Sequence, residues 1–313
     1  MILSIDIRTD IPAFYSKWIL NRFDEGFLMV RNPYYPSTIY KIPLNHEYVE
    51  GIVWWSKNFE PIMQDKRFYD VISKFPSYFE YTITPYENDI EQSVPSVDKS
   101  IETLQKLSML IGNDKINWRY DPILLTKKYT EDFHVNAFRK MGELLKPYID
   151  RCSFNIVNLY SKTRRHCPEI IPFTDETKHS LLSKLNEVCG EIGLELQGCA
   201  SLIDFNKYSH FNPEPCFSKE ILHKMNIWPK DNNRGNNLGF VGCNCYPMHS
   251  VGEYNTCLHK CKYCYASKDF NECDKNYKLH DDNSPLLIGW PNQTDEIKLI
   301  KKETLNTRQL ELF

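Results

Sequence analysis

The sequence predicts an α/β protein built as a (β/α) barrel of the TIM type, possibly a partial one. Strand-like and helix-like segments alternate about six times over the first 200 residues, as in parallel sheets with crossover helices. The chain has 313 residues, enough for a barrel of about 250 residues. We expect a barrel over residues 1–199, a Cys-rich segment over 200–290 that caps the carboxyl-terminal face, and a tail over 291–313.

The first half of the predicted barrel begins with an apolar strand over residues 2–7. A helix follows over 12–24, where Phe14, Trp18 and Phe23 recur at helical spacing. Residues 26–44 are predicted to form a β-excursion. Further strands are expected over 51–55 and 78–84, and further helices over 60–74 and 100–111.

The second half repeats the pattern with strands over 115–120, 153–159 and 194–199. Helices are expected between them, over 131–149 and 174–192. After Cys199 the residues Gly, Asn, Pro and Cys become frequent, and helical periodicity weakens beyond Met225. We therefore expect 200–290 to be irregular and ordered by a metal.

Composition narrows the function classes. Hydrophobic residues make up 42% and charged residues 25%, which excludes a largely disordered chain. The net charge of −3 excludes a globally basic nucleic-acid binder. No apolar run is long enough to cross a membrane, and the amino terminus does not resemble a signal peptide. A cytoplasmic protein without membrane contact is expected.

The eleven cysteines are an odd number, and six of them lie between Cys243 and Cys273. Such clustering favours metal binding in a reducing compartment over a disulfide scaffold. Cys257, Cys261 and Cys264 follow the spacing C-x₃-C-x₂-C, with Tyr263 before the third thiol.

Three thiolates in one tight loop can bind three irons of a [4Fe-4S] cluster and leave the fourth iron open. The alternative is a closed tetrahedral zinc site, in which the same thiols are joined by His259, His249 or Cys245. Both assignments are compatible with the spacing.

The motif is similar to that of radical S-adenosylmethionine (radical SAM) enzymes. The resemblance implies that SAM binds the open iron through its amino and carboxylate groups and is cleaved to a 5′-deoxyadenosyl radical, with a reductant such as flavodoxin or ferredoxin. In most of these enzymes the motif follows the first barrel strand, whereas here it lies after the predicted barrel.

The whole chain also resembles an uncharacterised bacterial and archaeal domain-of-unknown-function family with a late cysteine motif. This resemblance implies a barrel and an iron–sulfur cluster, without a reaction. The similar segments are residues 8–14, 30–33, 51–58, 82–86, 118–123 and 254–266.

Four further cysteines suggest a second metal site, namely Cys199, Cys216, Cys243 and Cys245. Four thiolates can hold a second [4Fe-4S] cluster or a zinc ion. The alternative is that Cys199 is a small buried hydrophobe and Cys216 a loop thiol without a function.

Polar residues at the predicted strand ends are the candidates for catalysis, because barrel enzymes place their active sites there. These candidates are Arg8, Asp10, Lys57, Asn58, Arg119 and Asp121. The arginines suit carboxylate or phosphate groups. Alternatively, residues 8–10 cap the first helix, and Arg119 and Asp121 form a structural ion pair.

Two features favour a nucleic-acid partner. The basic runs 127–128 and 162–166 can contact phosphates, although such runs are often only solvated loops. The last five residues, from Gln309 to Phe313, resemble the peptide that binds the bacterial sliding clamp; alternatively, they fold back onto the core.

A radical SAM-like enzyme with an unknown small-molecule or nucleic-acid substrate is our principal functional interpretation. A DNA-repair enzyme similar to the photoproduct lyases, which act on a flipped lesion, is the narrower alternative. The other alternative is a non-enzymatic protein whose iron–sulfur or zinc sites are structural or transfer electrons.

Overall fold

The computed structural model describes residues 1–199, 203–229 and 243–302. The strands, in chain order, are β1 (Ile2–Ile5), β2 (Phe27–Arg31), β3 (Thr38–Pro43), β4 (Gly51–Ser56), β5 (Ser77–Thr82), β6 (Ile116–Ile123), β7 (Arg151–Ile156), β8 (Leu196–Gly198), β9 (Phe211–Asn212), β10 (His249–Ser250) and β11 (Glu296–Leu299).

Ten α-helices connect or flank these strands within the described residues. They are α1 (Ile11–Phe14), α2 (Ser16–Glu25), α3 (Glu60–Met63), α4 (Arg67–Lys74), α5 (Val97–Ile111), α6 (Glu131–Leu145), α7 (Ser161–His166), α8 (Asp175–Ile192), α9 (Lys219–Lys224) and α10 (Phe270–Lys278). Several begin at a residue whose side chain accepts a backbone N–H, as Thr130 does before α6 and Thr174 before α8.

The main sheet has eight strands in the order β10-β1-β4-β5-β6-β7-β8-β9, and every pair is parallel. From β1 to β9 the strands therefore lie side by side in chain order. Within the described residues the two edge strands, β9 and β10, are not paired with each other.

The two faces of the sheet are covered by different parts of the chain. Alternate strand residues such as Ile52, Trp54 and Phe79 pack into the larger core with helices α1 to α8. Their neighbours Val53 and Tyr78 belong to a second core that includes residues of α9 and the 243–248 segment. A buried side chain of this size contributes about 1.5–3 kcal/mol.

A second sheet has the order β11-β3-β2, with β3 antiparallel to β2 and parallel to β11. The β-excursion expected over 26–44 is therefore the hairpin of β2 and β3. The segment after residue 290 contributes a strand to this sheet. Arg31 of β2 and Asp295 form an ion pair of 2.6 Å beside it.

The predicted α/β class with a parallel sheet is confirmed, and most predicted elements agree with the observed ones to within a few residues. The differences lie mainly at boundaries, where patterns are weakest. Closure of the sheet into a barrel is not seen between β9 and β10 in the described residues. The segment expected to be irregular includes two helices, α9 and α10.

Candidate functional site

A cavity of about 280 Å³ opens where the parallel strands of the main sheet end. Because neighbouring parallel strands share one carboxyl edge, side chains distant in sequence meet there. The strand-end residues that line the cavity include Asp6, Arg8, Asp10, Lys57, Thr82, Arg119, Asp121, Asn155 and Cys199. The other wall holds two groups of cysteines, Cys257, Cys261 and Cys264 together with Cys216, Cys243 and Cys245.

The loop that carries Cys257, Cys261 and Cys264 is anchored to the end of β1. Tyr265 donates its hydroxyl to the carbonyl of Ile7 at 2.6 Å. Tyr15, at the start of α2, donates to the carbonyl of Thr256 at 2.7 Å. These bonds hold the loop on both sides of its three thiols.

His259, between the first two cysteines of the motif, is buried and bonded on both ring nitrogens. Its Nε2 lies 2.7 Å from Oδ2 of Asp10, and its Nδ1 lies 3.2 Å from the carbonyl oxygen of Ser93. Because a carbonyl can only accept, and the carboxylate already accepts from other donors, the ring donates from both nitrogens. This occupation disfavours His259 as a zinc ligand.

Asp10 joins three parts of the site. Its carboxylate accepts from the Ser56 hydroxyl and from the Lys57 backbone N–H, both at 2.7 Å, besides His259. It also caps α1 by accepting from the Ala13 N–H at 3.1 Å. The predicted capping role of residues 8–10 is therefore present for Asp10, together with a bond to the cysteine loop.

The segment after β5 holds the cysteine loop from another side. Glu91 and Cys261 form an isolated antiparallel bridge. The N–H of Ser93 donates to the carbonyl of His259 at 3.0 Å, and the N–H of Lys262 donates to the carbonyl of Ile90 at 3.0 Å. The backbone of the motif is thus paired with residues 90–93.

The Glu91 carboxylate collects three donors at the buried end of this bridge. Lys57 Nζ lies 2.8 Å and Thr84 Oγ1 lies 2.6 Å from Oε1, and the Tyr263 hydroxyl donates to the same oxygen. Burial opposes the charge of Lys57, but Glu91 and Cys261 outweigh it and raise the Lys57 pKa. Tyr263 is therefore held by an ion pair next to the thiols.

The three motif thiols are buried in a protein environment that favours the neutral form for two of them. Burial, the Asp10 carboxylate and Cys264 raise the pKa of Cys257, while the backbone N–H groups of His259 and Asp10 lower it. Burial followed by Glu91 raises the pKa of Cys261. A metal must therefore displace protons from these thiols when it binds.

Three polar atoms on the cavity wall have no hydrogen-bond partner among the described residues. They are Arg8 Nε, Thr9 Oγ1 and Trp55 Nε1. Arg8 makes one long bond, from Nη1 to the carbonyl of Gly252 at 3.4 Å, and lies over the Tyr254 ring at 5.2 Å. Buried donors usually have partners, so this part of the wall suits a polar ligand.

Arg119 lies beneath the cavity in a buried network. Its Nη1 is 3.2 Å from Glu80 Oε2, its Nη2 bonds Asp121, and its guanidinium stacks on Trp55 at 5.0 Å. Burial raises the pKa of Glu80 to about 8, although Arg119 acts in the opposite direction. The predicted ion pair of Arg119 and Asp121 is present, and both residues also line the cavity.

The second group of thiols comes from three separate segments of the chain. Cys216 Sγ lies 3.5 Å from Cys199 Sγ and 3.3 Å from Cys245 Sγ. Cys243 hydrogen-bonds Cys245 in turn. In the described parts of the chain, no three His, Cys, Asp or Glu side chains already stand as a metal-ligand set.

Most predicted site residues meet at the cavity, with a few exceptions. Asn58 is absent from its lining, and its Oδ1 accepts from the Glu60 N–H at the start of α3. Lys128, in one basic run, pairs with Glu87 and Asp89 at 2.9 and 3.1 Å. Gln309 and Phe313 lie outside the described residues.

Asp6, Glu80 and Glu91 were not predicted as site residues. Asp6 is nearly buried and accepts from the Ser250 hydroxyl and the Arg8 N–H. Its position directly before Arg8 was a usable signal, since strand ends carry function. Glu91 lies in an irregular segment without any pattern that marks it.

Comparison with known proteins identifies a family. Residues 2–266 match the family described as Domain of unknown function (DUF1848), so the chain belongs to this family. The match includes the whole cysteine motif. No curated protein matches the chain. None of the described helices is long and apolar enough to cross a membrane.

Proposed function

For this member of a family of unknown function, we propose that the chain is a radical SAM-like enzyme. Cys257, Cys261 and Cys264 would hold a [4Fe-4S] cluster in the cavity wall. Such a cluster, when bound, supplies an open iron for SAM and the electron that yields a 5′-deoxyadenosyl radical. The substrate is a molecule that reaches the strand-end cavity.

One observation carries the proposal: all three thiols of the C-x₃-C-x₂-C motif line the same cavity as Arg8, Lys57 and Arg119. A closed structural site needs a fourth ligand, and His259 is bonded on both nitrogens. Cys245 belongs to the other group of thiols. His249 lies in β10 and is not among the cavity-lining residues described. These facts support an open position facing the cavity.

The protein residues around the motif orient it. Asp10 receives the His259 ring, Ile7 receives the Tyr265 hydroxyl, and residues 90–93 pair with the backbone of the motif. Because these anchors lie on different strand ends, the three thiols keep a defined position relative to the cavity. Orientation and shielding from water are what a protein supplies to a radical cofactor.

Arg8, Thr9 and Trp55 form the polar part of the wall, where we infer that SAM binds. The guanidinium of Arg8 suits a carboxylate, and the Thr9 hydroxyl and Trp55 indole N–H suit neutral polar groups. The cavity of about 280 Å³ lies near the lower end of small-molecule pockets, which begin at about 300 Å³. A cofactor-sized ligand therefore matches it better than a macromolecule.

We also infer that residues 243–266 act as the cap predicted for the carboxyl-terminal face. In support, this segment supplies Cys243, Cys245 and the motif thiols to the cavity wall. It also supplies β10, which pairs with β1. A partial barrel completed by such a cap would shield the radical chemistry on the side where the strands end.

The proposal is tested by electron paramagnetic resonance (EPR) of anaerobically purified, dithionite-reduced protein, with and without SAM. We expect a [4Fe-4S]⁺ signal that changes when SAM is added, and reductant-dependent formation of 5′-deoxyadenosine. The Cys261→Ala variant should lose both. Cys152→Ala, which removes a buried cysteine of β7 away from the cavity, is the matched control and should retain both.

A cluster signal that SAM leaves unchanged, with no 5′-deoxyadenosine, would reject the enzyme and favour a structural or electron-transfer cluster. Zinc at Cys257, Cys261 and Cys264 in place of iron would reject the cluster itself. A DNA substrate would appear as salt-sensitive binding of DNA to the reconstituted protein.

A further inference from the structure

The second group of thiols is assembled by folding, not by a sequence motif. Cys199 follows β8, Cys216 precedes α9, and Cys243 and Cys245 precede β10. Cys216 contacts Cys199 at 3.5 Å and Cys245 at 3.3 Å between sulfurs. Four thiols from three segments rarely meet for packing alone, since the buried cysteines of ordinary cores lie apart from one another.

The distances exclude two of the possible explanations. Sulfurs at 3.3 and 3.5 Å are not bonded, because a disulfide holds them at about 2.05 Å. In a cubane cluster each thiolate binds a different iron, which keeps the ligand sulfurs far apart. Around a single tetrahedral ion with metal–sulfur bonds of about 2.3 Å, the sulfurs lie about 3.8 Å apart.

We propose that Cys199, Cys216, Cys243 and Cys245 bind one tetrahedral zinc ion. This site is separate from the proposed iron–sulfur cluster and does not depend on it. The thiols reach a common centre by rotation of their side chains, since they are in contact but do not yet form a ligand set. The four thiolates complete the coordination, so the ion has a structural and not a catalytic role.

The surroundings of the four thiols suit a metal of this kind. Cys216 and Cys245 are buried in the core formed by Phe217, Ile221 and Tyr246. Arg119 hydrogen-bonds the Cys216 sulfur, and so balances part of the negative charge that four thiolates leave on a divalent ion. A zinc ion there would tie the end of β8 to the segments that cover the second face of the sheet.

The test counts metals in a triple variant, Cys257→Ala, Cys261→Ala and Cys264→Ala, which cannot form the proposed cluster. We expect about one zinc per chain and no inorganic sulfide. Replacement of zinc by Co²⁺ should give the intense visible bands of a tetrahedral tetrathiolate. Adding Cys216→Ala should abolish the bound metal, whereas adding Cys189→Ala, a buried cysteine of α8, should not.

Wild-type protein provides a measurement that does not depend on any variant's folding. X-ray absorption at the zinc edge should show four sulfur neighbours at about 2.3 Å. The proposal is overturned if zinc is absent or has nitrogen or oxygen neighbours. It is equally overturned if the triple variant retains four irons and four sulfides per chain, because that result places a second cubane at these thiols. Neither result bears on SAM cleavage by the first site.

Discussion

The Nε2 atom of His259 lies 2.7 Å from the Asp10 carboxylate, although the two residues are 249 positions apart. This bond joins the middle of the cysteine motif to the residue that caps the first helix. The same carboxylate accepts from Ser56 and Lys57. The position of the motif thiols is thereby coupled to the ends of β1 and β4.

Replacing Asp10 with Ala should release the cysteine loop. We expect iron and sulfide content after reconstitution to fall several-fold, and the free energy of unfolding to fall by about 1–3 kcal/mol as buried donors lose their acceptor. Metal analysis and urea denaturation measure the two effects. Asp175→Ala, at a fully exposed carboxylate, is the control. Unchanged iron content in Asp10→Ala would show that the bond does not position the loop.

Replacing Glu91 with Gln should leave the Lys57 charge without its counter-ion. Lys57 and Glu91 side chains are 12% and 2% exposed, so the expected loss is about 3–5 kcal/mol in the free energy of unfolding. Glu87→Gln, in the same segment and 75% exposed, should change stability by less than about 1 kcal/mol. Urea denaturation of both variants makes the comparison, and equal losses would contradict the buried ion pair.

Gly252 should not tolerate a side chain. An added Cβ would lie 1.9 Å from Asp6 Oδ2, and Asp6 is held by bonds from Ser250 and from the Arg8 N–H. We expect Gly252→Ala to cost about 1–3 kcal/mol of stability. In Gly190→Ala the only close neighbour is the His210 ring, and the added methyl favours the helix. Thermal melting should therefore separate the two variants, and similar melting temperatures would refute the close approach.

His134 should make the protein sensitive to acid. Its Nε2 donates to the Leu124 carbonyl at 2.8 Å and its Nδ1 accepts from Tyr120 at 2.9 Å. Burial lowers the pKa of His134 from 6.5 to about 4. The unfolded chain therefore binds this proton at higher pH than the folded chain does, so stability is complete above pH 6.5 and falls as the pH drops toward 4.

The loss assigned to His134 should reach about 3 kcal/mol at pH 4, from a shift of 2.5 pKa units. Urea denaturation between pH 7 and 4 measures it. A His134→Gln variant is less stable at pH 7 but should show a shallower decline over this range. Parallel declines in the two proteins would mean that another group controls the acid response.

Arg8 should contribute to SAM binding if the proposed function holds. Removing a charged hydrogen-bond donor costs about 1.5–3 kcal/mol, so Arg8→Ala should weaken SAM binding by about 10- to 150-fold. Iron content should stay unchanged, because Arg8 is not part of the cysteine loop. Equilibrium dialysis with labelled SAM measures the affinity, with the exposed Arg164→Ala as the control. Wild-type affinity in Arg8→Ala would place the SAM carboxylate elsewhere.

Local patterns were sufficient for the secondary structure and for part of the site. Strands β1, β4, β5 and β6 were predicted to within a few residues, because apolar runs bounded by polar residues identify buried strands. The same boundaries led to Arg8, Lys57 and Arg119, since function concentrates at strand ends. The three motif cysteines follow from spacing alone.

The remaining site residues depend on contacts that no local pattern encodes. Glu91 meets Tyr263 across 172 residues of chain, and it has no motif of its own. Asn58 resembles a site residue by position but caps a helix, because a residue's place at a strand end does not determine where its side chain points.

The sequence by itself determined the parallel α/β class and the identity of the cysteines, because both depend on residue types at short and regular separations. Only the tertiary structure decided which thiols contact each other and which anchors hold the motif. Cys199, Cys216 and Cys245 come together through the packing of the second core, and His259 is occupied by Asp10 and Ser93. Such long-range contacts result from burial of whole segments, for which chain separation carries little information.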